Sequence, residues 1–191
     1  MSIRNYTFII LAIFFCFILS EDIDLKESGE KIPNITLKDV NKKKVKILDA
    51  SKDYYILFNF WNMACEPCKK EMKFLNEFHQ KYNDYGFKVI SINMDTPRSM
   101  SKVKKYVKSS KYAFEVFQDP RMDLFKKMGG SIMPFVVLAN NEGYIVNKHI
   151  GYNLGDEKAL EEEIKTLISF TKAVDVAKPD TLTTKSVKIN E

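Results

Sequence analysis

The sequence predicts an α/β fold in which helices flank a mixed central sheet, and three observations carry that expectation. Two continuous apolar runs, "YYILFNFW" (54–61) and "FKVISINM" (87–94), have the composition of strands buried on both faces. Between them Met72, Leu75, Phe78 and Tyr82 recur at helical spacing, so a crossover helix makes the two strands parallel. Further on, "PFVVLA" and "YIVNKHI" alternate around "NNEG", a hairpin pattern that adds antiparallel strands. Parallel and antiparallel pairs in one sheet make it mixed.

The remaining elements follow in order. "NITLKDV" and "KKVKIL" alternate around Asn41, Lys42 and Lys43, which predicts an N-terminal β-hairpin. The helix after Pro67 ends at Tyr85-Gly86. Ser99 is placed to cap a helix carrying Val103, Tyr106 and Val107. "AFEVF" is a short extended segment, and Asp119-Pro120 opens a helix over residues 124–128 that Gly129-Gly130 stops. A last helix runs from Asp156 to about Phe170, burying Leu160, Ile164, Leu167 and Ile168. No internal repeat is visible.

Both ends differ in composition from this body. Arg4 precedes an apolar stretch at residues 7–19, and Ser20 stands before the acidic Glu21-Asp22, the layout of a secretory signal peptide over residues 1–20. The apolar stretch is shorter than the ~20 residues of a membrane-spanning helix, so cleavage is the first reading and an uncleaved anchor the alternative. Cys16 offers lipid attachment as a third option, disfavoured because bulky Phe15 precedes it. Residues 21–31 are charged and read as a flexible linker, residues 32–170 as one domain, and residues 171–191 as a flexible tail.

Composition limits the functions open to the chain. Its 191 residues can bury a full core without cross-links, and hydrophobic residues make up 45%. The net charge of +5 comes from scattered lysines with no recognised reading element, which argues against nucleic-acid binding. There are three cysteines, and loss of Cys16 with a signal would leave only Cys65 and Cys68. A secreted scaffold stapled by disulfides carries more, so the motif "CEPC" points to a task.

That task can be metal binding, a structural disulfide or redox exchange. A zinc or copper site needs further ligands, and His79 and His149 have no paired spacing with another ligand; both read as packed or surface histidines. A disulfide across so short a loop contributes about 2–3 kcal/mol at best. Redox exchange fits the position. Cys65 ends the strand-to-helix connection and Cys68 lies in the first helical turn, where unpaired N–H groups and the helix dipole stabilise a thiolate. Pro67 fits that first turn and stiffens the loop. No cofactor is implied.

The strand "ILFNFW", the motif "CEPCKKE" and the segment "SIMPFVVL" together resemble the thioredoxin fold, and more narrowly the TlpA/ResA-like thiol-disulfide oxidoreductases, over residues 32–170. The resemblance implies an exposed attacking Cys65, a buried resolving Cys68, and a cis-proline at Pro134 facing the pair. It implies that the Met133 main chain binds substrate and that Glu66 and Pro67 shape potential and docking. It matches Glu71 to a glutamate near the cysteines, and the three-residue spacing from Cys68 puts both on one helix face. An ordinary exposed glutamate is the alternative for Glu71. Ala64 stands where such proteins usually have tryptophan, and Asn59 where cytosolic thioredoxins have a buried aspartate. Trp61 reads as core.

The function expected is extracytoplasmic reduction of protein disulfides, with cytochrome c maturation as an implied role and a membrane protein as electron donor. Membrane contact would come only through an uncleaved N-terminal segment. A thiol peroxidase of the same fold is the rival enzyme, but "WNMACEPC" lacks its threonine-containing loop. A non-catalytic binding or metal-holding module is the rival outside enzymes.

Overall fold

The computed structural model describes residues 29–177. Seven strands form one sheet: β1 (Thr36–Asp39), β2 (Lys44–Lys46), β3 (Tyr55–Trp61), β4 (Phe87–Asn93), β5 (Glu115–Gln118), β6 (Phe135–Ala139) and β7 (Ile145–Ile150). Among the described residues five α-helices accompany them: α1 (Ile47–Ser51), α2 (Glu66–Tyr82), α3 (Met100–Ser110), α4 (Asp123–Lys127) and α5 (Asp156–Ala177). The strand order is β2-β1-β5-β4-β3-β6-β7. β3, β4 and β5 pair in parallel, while β1 with β5, β3 with β6 and β6 with β7 pair antiparallel. The mixed sheet is as expected, and β3 lies within it with a neighbour on each side.

Every residue of β3 is buried, and its alternation feeds two cores. Tyr55, Leu57 and Trp61 face a cluster with Cys68, Met72, Leu75 and Phe78 of α2, Val103 of α3 and Ile164 of α5. Ile56, Phe58 and Phe60 face a second cluster with Ile47 of α1, Leu124 and Phe125 of α4, and Phe135. Helices thus cover both faces, which explains why the strand reads as unbroken hydrophobicity. The end of β3 delivers the chain straight into α2, and that junction carries the cysteines.

Several elements differ from the expectation. The second hairpin strand stops at Lys46, and Ile47-Leu48 begin α1, where Ile47 is fully buried. Tertiary burial here outweighs alternation over so short a run. Ser99 precedes α3, but its hydroxyl makes no cap bond: residues Pro97–Ser99 form a 3₁₀ turn and Ser99 is already helical in backbone. Helix α4 is capped instead by Asp119, whose carboxylate accepts from the amides of Asp123, Leu124 and Phe125 at 2.9, 2.9 and 3.1 Å. Helix α5 continues to Ala177, past the expected end at Phe170. Glu30 and Lys31, read as linker, join the sheet edge. Glu30 O accepts from Ile145 N at 2.8 Å, and Lys31 bridges Tyr144. The expectations for residues 1–28 and 178–191 lie outside the described residues. Among the described residues no helix is long and apolar enough to cross a membrane.

Candidate active site

Cys65 and Cys68 form a disulfide at the N-terminus of α2, with Cα atoms 5.3 Å apart. Cys65 is the N-cap residue in extended conformation, and its Sγ accepts from Cys68 N at 3.3 Å. Pro67 falls in the first turn, where its missing N–H costs nothing. The pair is unequal. Cys65 is half-buried, whereas Cys68 is fully buried, with its Sγ 4.0 Å from the Phe60 carbonyl. Reduction would let the Cys68 thiol donate to that carbonyl, while Cys65 keeps an open side.

The loop that presents Cys65 is pinned by residues that sequence reasoning passed over. Asn62 Oδ1 accepts from Ala64 N at 3.0 Å, and the Asn62 carbonyl accepts from Cys65 N at 3.2 Å. Asp95 Oδ2 accepts from Met63 N at 2.8 Å and from Asn93 Nδ2 at 2.9 Å. An asparagine two residues before its target amide is a readable turn signal. The reach from Asp95 to Met63 is a product of the β3–β4 pairing and has no local signature.

The Met133–Pro134 peptide bond is cis, as the resemblance implied. Pro134 is buried, and its carbonyl accepts from Gly151 N at 2.8 Å, tying this loop to the end of β7. Met133 packs against both core clusters, and Cys65 and Met133 both lie against the first. The preceding Ile132 is 64% exposed, leaving an apolar side chain at this end of the sheet. Glu66 and Pro67 are exposed, and the Lys69 ammonium 2.7 Å from Glu66 holds its carboxyl below the ordinary range. Ala64 is exposed, so the loop has a low profile beside Cys65.

Glu71 lies one turn beyond Cys68 and is only 5% exposed, which removes the exposed-glutamate alternative. Its Oε2 has no hydrogen-bond partner among the described residues. Burial, reinforced by the charge of Asp156, pushes its pKa up to about 8. At neutral pH the carboxyl group is therefore mostly protonated. Asn59 and Trp61 are buried on the sheet, and the Trp61 ring packs tilted against Tyr106 of α3 with centroids 5.6 Å apart, in the core role expected.

The two histidines lie apart from this site in function. His79 is buried, and its Nδ1 accepts from Val89 N at 3.1 Å, so it braces α2 against β4; burial and Lys88 lower its pKa. His149 pairs with Glu163 at 2.9 Å. Among the described residues no group of three or more histidine, cysteine or acidic side chains is placed to hold a metal ion.

A thioredoxin-like sheet with a Cys-x-x-Cys disulfide at a helix N-terminus and a cis-proline at the entry to the closing hairpin defines a thiol-disulfide oxidoreductase. Comparison with known proteins agrees: residues 28–150 match the AhpC/TSA family, and the chain belongs to it. It is 30% identical over 141 residues to the thiol-disulfide oxidoreductase ResA of Bacillus thuringiensis, covering 74% of this chain and 79% of that one. The ResA of Halalkalibacterium halodurans is 26% identical over 147 residues, covering 77% and 80%. Among solved structures, a putative thiol:disulfide interchange protein DsbE from Chlorobium tepidum matches with a TM-score of 0.67 and 26% identity, over 73% of this chain and 96% of that one. A putative thioredoxin from Neisseria meningitidis matches with a TM-score of 0.64 and 25% identity, over 80% and 99%. The TlpA/ResA-like resemblance drawn from "CEPCKKE" therefore stands.

Proposed function

We propose that this oxidoreductase reduces disulfides in exported proteins, with Cys65 as the attacking thiolate, Cys68 as the resolving thiol and Glu71 as the acid–base partner of Cys68. The observation that carries this reading is the asymmetry of the site. A half-open Cys65 caps the helix, while fully buried Cys68 sits one turn from a buried carboxyl group.

The Cys65 thiolate attacks one sulfur of the client disulfide, forming a mixed disulfide and releasing the other client sulfur as thiolate. Cys68 then gives its proton to the Glu71 carboxylate, and its sulfur bonds to Cys65 Sγ. The second client sulfur leaves as thiolate. Two electrons have passed from the cysteine pair to the client, and the proton rests on Glu71. A carboxyl group that is mostly protonated at neutral pH beside the oxidised pair is the state this step leaves behind. When an external dithiol reopens the disulfide at Cys65, Glu71 returns its proton to the departing Cys68 sulfur.

Direction follows from charge. The Glu66 charge is paired with Lys69, but in the reduced state of this scheme Glu71 carries its own charge in the second turn of α2 and opposes a thiolate that the helix dipole favours. A less stabilised reduced form suits a reductant. The Met133 main chain beside Pro134 would bind the client in extended form, and exposed Glu66 and Pro67 would border it. The signal-like composition of residues 1–20 supports export. The likeness to ResA supports, in addition, a membrane protein as electron donor and apocytochrome c among the clients.

The test is the rate of disulfide reduction by wild type and Glu71→Gln from pH 5 to pH 9. The variant should be slower near neutral pH, by on the order of tenfold to a hundredfold, with a simpler profile. Superimposable profiles would remove Glu71 from the mechanism.

A further inference from the structure

A cavity of about 320 Å³ lies between α2, the end of β7 and the first turns of α5. The ionisable groups that face it come from each of these elements: Glu71 from α2, His149 from β7, Tyr152 from the following loop, and Asp156, Glu157 and Glu163 from α5. Most of them are engaged elsewhere. Glu163 Oε2 holds His149 Nε2 at 2.9 Å. Glu157 Oε2 accepts from Tyr152 Oη at 2.9 Å and from Gly155 N at 2.8 Å.

Asp156 and Glu71 are the contrasting pair. Glu71 is buried at the inner side with an unpartnered oxygen, whereas Asp156 is exposed and sits in water. The Asp156 side chain is anchored: its Oδ2 accepts from Asn153 N at 2.7 Å and from Asn153 Nδ2 at 3.4 Å. Burial disfavours the charged form of the Glu71 carboxyl, and the charge of Asp156 adds to that.

We propose that Asp156 is a positioning residue for Glu71, its anchored carboxylate at the cavity mouth holding the proton on the buried carboxyl group between turnovers. This rests on the reading of Glu71 as the group that exchanges a proton with Cys68. Asp156 touches neither the sulfurs nor the client in this scheme. It acts through Glu71 alone, so that the oxidised enzyme keeps the proton that Cys68 needs when the disulfide is reopened.

The experiment is a pH titration of the Glu71 carboxyl carbon by NMR in the oxidised protein, for wild type, Asp156→Asn and Asp156→Glu. Asparagine keeps an oxygen for the Asn153 amide, so loss of the charge is separated from loss of the loop. The Asn variant should titrate lower by on the order of half a pH unit, as expected of one like charge across a partly solvated gap. Asp156→Glu should recover most of the change, and added salt should lower the wild-type midpoint but hardly that of the Asn variant. An unmoved midpoint in Asp156→Asn would overturn the proposal. The reading beneath it is judged separately, by whether Glu71→Gln alters the pH profile of exchange. An unmoved midpoint beside an altered profile sinks the Asp156 coupling alone, and a moved midpoint beside an unaltered profile sinks the proton transfer alone.

Discussion

Replacing Glu71 by glutamine should stabilise the oxidised protein, and more so as pH rises. The folded chain holds the Glu71 proton with a pKa of about 8, against 4.5 for the unburied group. Below pH 4.5 the carboxyl is protonated in both states and costs nothing. Between the two values the folded state binds the proton and the unfolded state releases it, so stability falls with rising pH. Above about pH 8 the loss is complete. The gap is roughly 3.5 pH units, and at about 1.36 kcal/mol per unit it sets a ceiling of about 5 kcal/mol. Glutamine keeps the shape and removes the ionisation. Urea unfolding of both proteins without reductant, from pH 4 to pH 9, isolates this group because most other titrations cancel in the difference. The difference should be small at pH 4 and grow to several kcal/mol in favour of Glu71→Gln by pH 9. Parallel curves would refute the burial argument and with it the store of a proton on Glu71.

Gly130→Ala should destabilise the fold by about 1–3 kcal/mol, because its Cβ would stand 2.3 Å from the Phe125 ring, which is locked between Phe60 and Phe135. Urea denaturation checks it, and wild-type stability would show that the ring can give way. Asp119→Ala should cost about 1–3 kcal/mol, since three amides of α4 lose their acceptor and Asp119 is 2% exposed. Asp119→Asn should recover part of that loss in the same assay, and an unchanged midpoint for the alanine variant would contradict the capping role.

Much of this architecture was readable because the relevant residues act locally. "YYILFNFW" reads as a strand buried on both faces, and Tyr55–Trp61 is one, since unbroken hydrophobicity has few other outlets in an α/β chain. "NNEG" gave the β6–β7 turn, where Asn140 Oδ1 accepts from the amides of Glu142 and Tyr144. The cysteine pair is legible because the apolar strand run before it, and Pro67 with the helical period after it, place it on a helix start. Elements decided by distant contacts were not. Ile47 turns into α1 because the second core takes its side chain, which no alternation pattern reveals. The burial of Glu71 depends on α5 packing beside α2, and the cavity it shares with Asp156 joins residues 85 positions apart in sequence. Helical spacing put Glu71 on the face of Cys68 but could not say what would cover that face.

The central claim is that Cys65 attacks and Cys68 resolves, and the most direct measurement is capture of mixed disulfides by Cys68→Ser and Cys65→Ser in cells that export the protein. Half-buried Cys65 remains reachable when Cys68 is gone, and nothing is left to release the client. Non-reducing gels should therefore show a ladder of reductant-sensitive adducts for Cys68→Ser. Cys65→Ser should show few, because its remaining thiol is fully buried. Equal trapping by the two variants, or adducts with Cys65→Ser alone, would contradict the account.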